Sequence, residues 1–180
     1  MRLQHLAASL LLISSCVAVD PESTSEPTES EQPQALTTGT PTVQAVAAEV
    51  AIPSGVITLL PLANESWDVG NMHSTTTNTS RLNAPADGIY HVSATIMWRA
   101  NPKGAQRYVT VRRNGILHDV ALAQIPPVNS TTDFTTVVVS ADIKLAGKDY
   151  VEVSVLQDSG ASVNVALGSH VELTWVAAGI

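Results

Sequence analysis

Histidine, cysteine and carboxylate side chains could bind a metal ion or take part in catalysis. In this chain their spacing matches no known metal-binding or catalytic motif. Four histidines lie beyond the amino-terminal segment: His73, His91, His118 and His170. None lies in a His-x-His, His-Glu-x-x-His or Cys-His spacing, so no metal motif is present. A Gly-x-Ser-x-Gly elbow, which would expose a serine nucleophile, is also absent. We therefore expect no catalytic residues and no enzymatic activity.

The acids of predicted loops have one chemical alternative. Asp68, Asp87 or Asp158 could coordinate Ca²⁺ together with backbone carbonyl oxygens, which are the ligands that this ion prefers. Their spacing is generic, and acids of solvated loops commonly have no ligand. We expect no cofactor, with Ca²⁺ as the one candidate ion.

The only cysteine, Cys16, lies at the end of an export signal. A basic residue, Arg2, precedes a short apolar run over residues 6–13, which is too short to span a membrane. The tetrapeptide Ile-Ser-Ser-Cys at 13–16 resembles the bacterial lipobox, in which the cysteine receives lipid and becomes the first mature residue. We expect residues 1–15 to be a lipoprotein signal peptide and Cys16 to be lipidated.

This interpretation predicts where the chain resides. By analogy with lipoproteins, Val17 after the cysteine favours an exported protein held by its lipid at the outer membrane or cell surface. The alternative is ordinary cleavage after Ala18, which would discard the cysteine and leave a secreted protein.

Charge divides the chain into a linker and a head. Residues 17–50 hold six acids and no Lys or Arg, whereas residues 51–180 hold ten acids and eight bases. The linker is also rich in Pro, Ser, Thr and Glu and poor in apolar residues, so we expect residues 16–50 to be a disordered tether. Clustered positive charge is lacking, which argues against a nucleic-acid partner.

Residues 51–180 read as one all-β domain. Apolar residues alternate with polar ones from Tyr90 to Trp98, from Val151 to Val155 and from Val171 to Trp175. Asn114-Gly115 is a strong hairpin signal, because both residues tolerate a positive φ. Several short strands separated by Gly, Pro and Asn turns, with no helical pattern, predict a β-sandwich.

The order of the motifs resembles a known family, the globular head of complement subcomponent q in its bacterial and phage form. The resemblance covers about residues 56–177 and rests on GIYHV at 88–92, RRNG at 112–115, DYVEV at 149–153 and QDSG at 157–160. It implies a tumour necrosis factor-like jelly roll of about ten antiparallel strands that assembles as a homotrimer. The chain has no Gly-X-Y collagen stalk, so a role like that of complement is not implied.

The resemblance also implies a trimer face. It places three strands in an inner sheet whose outer side meets the threefold axis, and the candidate residues there are His91, Ser93, Thr95, Tyr150, Glu152, Ser154, His170, Glu172 and Thr174. Alternation alone is equally consistent with a solvated sheet face. If the trimer forms, we expect its stability to depend on pH through a histidine, His91 or His170, that faces Glu152 or Glu172.

These features together predict a non-enzymatic binding or adhesion module. In this hypothesis a homotrimeric head stands on a lipid-anchored tether and binds an unknown surface ligand, protein or glycan, with avidity from three copies. One alternative is a monomeric carbohydrate-binding sandwich that uses Trp67, since Trp98 continues the core pattern of its strand. Another is a phage-derived structural trimer.

Overall fold

The structure is a computed structural model that describes residues 39–179, except the side chains of His118 and Asp119. This part contains no helix and twelve β-strands. The strands are β1 (Thr42–Ala47), β2 (Val50–Ile52), β3 (Thr58–Leu59), β4 (Leu62–Val69), β5 (Arg81–Asn83), β6 (Gly88–Trp98), β7 (Arg107–Arg113), β8 (Ile116–Ile125), β9 (Thr135–Leu145), β10 (Tyr150–Gln157), β11 (Val163–Val165) and β12 (His170–Ala177).

The strands form two antiparallel sheets. In the seven-stranded sheet the main order is β4-β1-β12-β6-β9, and the short strands β2 and β11 extend it beside the end of β6. In the five-stranded sheet the order is β10-β7-β8, with β3 and β5 both paired to the free side of β10. The chain crosses between the sheets as it proceeds from β9 to β10 and back to β11, which is typical of a jelly roll.

The core lies between the sheets and follows the predicted alternation. On β6, the residues from Tyr90 to Trp98 that were predicted to face inward are all fully buried: Tyr90, Val92, Ala94, Ile96 and Trp98. From the other sheet, Val151, Val153 and Val155 of β10 pack into the same cluster. Full burial of each such side chain stabilises the fold by about 1.5–3 kcal/mol. The predicted inward faces of β6 and β10 are therefore confirmed.

The amino-terminal boundary of the head differs from the prediction. Residues 42–50 were assigned to a disordered linker, but Thr42–Ala47 is a central strand and β2 begins at Val50. Val43, Ala45 and Ala47 are fully buried, because the strand alternates and turns its small apolar side chains into the core. The head thus begins at or before Thr42. The signal peptide, Cys16 and the rest of the predicted linker lie outside the described residues.

A tight corner begins β6 and explains the Gly-x-Tyr motif. The Tyr90 hydroxyl donates a hydrogen bond to the carbonyl oxygen of Ala86 (2.8 Å), and burial raises the pKa of this tyrosine. Two residues earlier, Gly88 is packed against the Trp175 indole and the carbonyl oxygen of Ala177. A side chain at Gly88 would occupy the space of the last strand, so the motif fastens β6 to β12.

The predicted hairpin between β7 and β8 is confirmed, with φ of 49° at Asn114 and 78° at Gly115. The turn is held to its neighbour by the side chain of Asn114, which donates to the Asp149 carboxylate (2.8 Å) and accepts from the backbone N–H of Tyr150 (3.0 Å). The pKa of Asp149 lies below its ordinary value, because Asn114 and the backbone N–H of Ala146 both donate to its carboxylate.

Candidate functional site

Six of the nine predicted face residues come together on the outer side of the seven-stranded sheet. We call eight polar residues on the outer side of β1, β12 and β6 the polar face: Thr42, Gln44, His91, Ser93, Thr95, His170, Glu172 and Thr174. The register places them in rows across the strands, so that Thr42, Thr174 and His91 are neighbours, and so are Gln44, Glu172 and Ser93. All but His91 are partly buried.

Side-chain hydrogen bonds hold the polar face in order. The hydroxyl groups of Thr42 and Thr174 lie 2.8 Å apart, and Gln44 donates from its amide nitrogen to the Glu172 carboxylate. Nδ1 of His91 lies 2.7 Å from Oδ1 of Asp142 on the adjacent strand β9. Cross-strand pairs of this kind stabilise a sheet and leave a pre-ordered surface of small polar groups.

The other three predicted face residues lie elsewhere, so that part of the prediction is wrong. Tyr150, Glu152 and Ser154 belong to β10, which is in the five-stranded sheet. The alternation of β10 was read correctly, but alternation does not say to which sheet a strand belongs. The polar side of β10 faces away from the polar face, on the other side of the sandwich.

Of the expected histidine–glutamate pairs, those with Glu152 are therefore wrong, whereas Glu172 shares the polar face with His91 and His170, and a pair with it between copies stays a prediction. Glu152 is ion-paired with Arg81 (3.1 Å) in the five-stranded sheet. His91 pairs with Asp142 on the adjacent strand β9. Nδ1 of His170 lies 2.9 Å from the carbonyl oxygen of Gly168.

Apolar side chains border the polar face at both edges. On β4, the Trp67 side chain is 43% exposed, and its indole N–H lies 3.5 Å from the Thr42 hydroxyl. On β9, Val138 is 61% exposed and is the register partner of Thr95. Trp98, in contrast, is fully buried, as its position in the alternation predicted. The exposed indole is thus on the same side of the sandwich as the polar face.

One histidine that the sequence did not single out for a role is buried. Nδ1 of His73 lies 2.7 Å from Oε1 of Glu65, and Nε2 lies 3.0 Å from the carbonyl oxygen of Thr79. Both partners are hydrogen-bond acceptors, so each ring nitrogen that carries a proton has an acceptor. The side chain fastens the segment after β4 to that strand. A long loop with many hydroxyl groups gave no signal of such a contact in the sequence.

The three candidate calcium ligands lie far apart in the chain, and each accepts backbone hydrogen bonds; Asp87 and Asp158 are in loops, but Asp68 is in β4 and not in a loop as predicted. Asp68 accepts from the N–H groups of Met72 and His73, Asp158 accepts from those of Ala105 and Gln106, and Asp87 accepts from that of Gly147. Within residues 39–179, no three His, Cys, Asp or Glu side chains are grouped so that they could hold a metal ion. The described part also has no helix long and apolar enough to cross a membrane.

Comparison with solved structures identifies the fold. The chain is similar to the Eiger TNF from S. frugiperda, with a TM-score of 0.55 and 13% identity, over 78% of this chain and 95% of that one. It is also similar to murine APRIL, with a TM-score of 0.51 and 10% identity, over 76% of this chain and 99% of that one. The fold is a TNF-like jelly roll.

This likeness confirms the predicted fold class, and at such low identity it establishes the fold alone. No family model matches the chain, and no curated protein matches it.

Proposed function

We propose that this chain is a non-enzymatic binding head, of the complement subcomponent-q type, which assembles as a homotrimer through its polar face. Export and a lipid on Cys16 would hold the head at a bacterial surface, where three linked copies bind a ligand with avidity. The observation that carries the proposal is the pre-ordered polar face on the central strands of a TNF-like seven-stranded sheet.

Two features of this surface favour a cyclic assembly. A threefold ring uses two different patches on each copy, because its contacts are heterologous. The polar face has exposed apolar groups at opposite edges, with Trp67 on β4 and Val138 on β9. Burying them between copies would remove apolar surface from water, while the small polar side chains between them let the sheets approach.

A second candidate function uses the same surface. Trp67 is an exposed indole beside Gln44 and Glu172, so a monomer could stack a sugar ring on it and bind the hydroxyl groups with the neighbouring amide and carboxylate. The two functions exclude each other, since trimer contacts would cover this site. A phage-derived structural trimer, the third candidate, would show the same assembly without any ligand.

Sedimentation equilibrium of the full chain tests the assembly. We expect a mass three times the 18.9 kDa of one chain. Ser93→Arg places a charge in the middle of the polar face and should give monomers, because three such charges would be buried near one axis. Gln124→Arg is the matched control on the exposed side of β8, and it should remain trimeric. A wild-type monomer that binds glycans through Trp67 would overturn the proposal in favour of the second candidate.

The anchor is tested separately. In cells that express the full chain, metabolic labelling with a fatty acid should mark the protein, and the protein should sediment with the membranes. Cys16→Ser should abolish the label and release the protein, since lipid attachment needs the thiol. A labelled Cys16→Ser variant, or wild-type protein that is unlabelled and soluble, would refute lipid anchoring without affecting the trimer.

A further inference from the structure

Two arginines and one glutamate lie together on the outer side of the five-stranded sheet. Glu152 is 4% exposed and accepts from Nε of Arg81 (3.1 Å) and from the Ser80 hydroxyl (3.2 Å). Its register partner on the other side, Arg112, has no carboxylate of a described residue within 4.0 Å. Among the side chains that the structure describes, two guanidinium groups thus flank one carboxylate, an excess of one positive charge.

Several donors at this position have no acceptor in the part of the chain that the structure describes. The guanidinium of Arg81 lies over the Tyr150 ring, 4.1 Å from its centroid, and no described residue accepts a hydrogen bond from its two terminal nitrogens. The side chain of Arg112 donates to Ser154 (3.1 Å) and to the Gly115 carbonyl, but its buried Nε finds no acceptor within the described residues. Positioned guanidinium groups of this kind bind carboxylates well.

Apolar groups lie on the same side of the sheet, farther along β10. Leu59 is 40% exposed and Leu122 49% exposed, and they flank the buried pair Ser154 and Thr110 in one row. The next row holds a shallow groove of about 190 Å³ that has room for one apolar side chain. The groove is lined by Ile57, Gln106, Tyr108, Gln124 and Leu156.

The distance between the two features suits an extended chain. Leu156 at the groove and Glu152 beside the arginines are four residues apart on β10, or about 13 Å at 3.3 Å per residue. In an extended segment that lies along β10, side chains four residues apart point to the same side and span this distance. A saccharide exposes few aliphatic groups, so it would leave the apolar row unexplained.

We propose that this face binds an extended polypeptide segment with an aliphatic side chain in the groove and a carboxylate four residues away, beside Arg81 and Arg112. The inference rests on the proposed binding role, and it names the chemistry of the ligand. It does not depend on the trimer, because the polar face is on the opposite side of the sandwich.

Blocked peptides with the full chain test this surface by fluorescence anisotropy. The probe is a labelled peptide of threonines with one leucine and one glutamate four residues apart. We expect saturable binding, weakened at least about tenfold when the glutamate is changed to glutamine or is moved to three residues from the leucine. No binding up to about 1 mM, or equal binding of the three peptides, would overturn the proposal.

Matched variants locate the site on the protein. Arg81→Gln should weaken binding about tenfold. Arg99→Gln is its control, because Arg99 also pairs with a glutamate, Glu49, and lies over an aromatic ring, that of Phe134, and it should leave binding unchanged. Leu122→Thr on the proposed face should weaken binding, whereas Leu167→Thr between β11 and β12 should not. Equal effects of a variant and its control would contradict the proposal.

Two further measurements separate the ways in which the inference could fail. If Arg81→Gln unfolds the protein because it leaves Glu152 unpaired, the double variant Arg81→Gln/Glu152→Gln removes that charge and must still bind the peptide more weakly than the wild type, because the donors of Arg81 are gone. Binding of a heparin oligosaccharide that depends on Arg81, with no peptide binding, would overturn the inference in favour of an acidic glycan. Sedimentation of the same samples reports on the trimer, so a trimer that binds no peptide refutes only the inference.

Discussion

Gly88 is the residue at which the smallest change should have a large effect. A Cβ atom placed on Gly88 would lie 2.8 Å from Cδ1 of Trp175, closer still to Nε1, and 2.8 Å from the carbonyl oxygen of Ala177. Unstrained contacts between such atoms are about 3.5–4.0 Å, so Gly88→Ala must displace the indole or the end of β12 by about 1 Å. Overpacking of this kind costs about 1–3 kcal/mol of unfolding free energy.

We expect about 2 kcal/mol for Gly88→Ala, because Trp175 is only half-buried and can move outward, whereas the Ala177 carbonyl belongs to the backbone. For a domain of this size the melting temperature should fall by about 4–8 °C. Urea denaturation followed by tryptophan fluorescence measures the free energy, and calorimetry measures the melting temperature. The double variant Gly88→Ala/Trp175→Phe should recover part of the lost free energy, since the smaller phenyl ring does not reach the new Cβ atom.

The matched control is Gly147→Ala. Gly147 has no positive φ, and a Cβ there would lie 3.5 Å from its nearest neighbour, Cα of Ala86, which is an ordinary contact. This variant should be within about 0.5 kcal/mol of the wild type. Equal stability of Gly88→Ala and Gly147→Ala would show that contact with Trp175 is not the reason for a glycine at position 88. The same would follow if the losses of free energy from Gly88→Ala and Trp175→Phe simply added in the double variant.

Three other predictions follow from single contacts. Tyr90→Phe should lower the unfolding free energy by about 1 kcal/mol in urea, because the hydrogen bond from the Tyr90 hydroxyl to the Ala86 carbonyl is lost. Asp149→Asn should lower the melting temperature at pH 7, where the depressed pKa of Asp149 contributes its full stability. That contribution is lost as the pH falls through the folded-state pKa, so variant and wild type should converge in calorimetric scans well below pH 4. Gly104→Ala should destabilise more than Gly147→Ala in the same scans, because its φ is +88° and a Cβ would lie 2.9 Å from the backbone of Asp158.

Local patterns predicted the strands of the head from β6 onward. The alternation from Tyr90 to Trp98 identified five fully buried side chains, and the pair Asn114-Gly115 located a turn with two positive φ angles. These features depend on neighbours in the sequence, such as side-chain period and turn geometry. Such local features can be predicted from a single sequence.

Features that depend on distant neighbours were missed. The alternation of β10 predicts its inner and outer sides but not its sheet, and the family resemblance assigned it to the sheet of the histidines, whereas Glu152 pairs with Arg81 in the other sheet. The strand Thr42–Ala47 was missed because its buried residues are small and it follows an acidic, proline-rich segment, so composition suggested a linker. In both cases the pairing with a strand far away in the sequence decided the structure.

The position of β1 also determines how this head responds to mechanical load. It is an interior strand, with five register pairs to β12 on one side and six register pairs to β4 on the other. An edge strand can be peeled away one hydrogen bond at a time, but a pull on the chain before Gly39 along the axis of β1 loads both ladders in shear. Separation of β1 then requires many hydrogen bonds to break together, so the domain should unfold only at a high pulling force on its amino-terminal end.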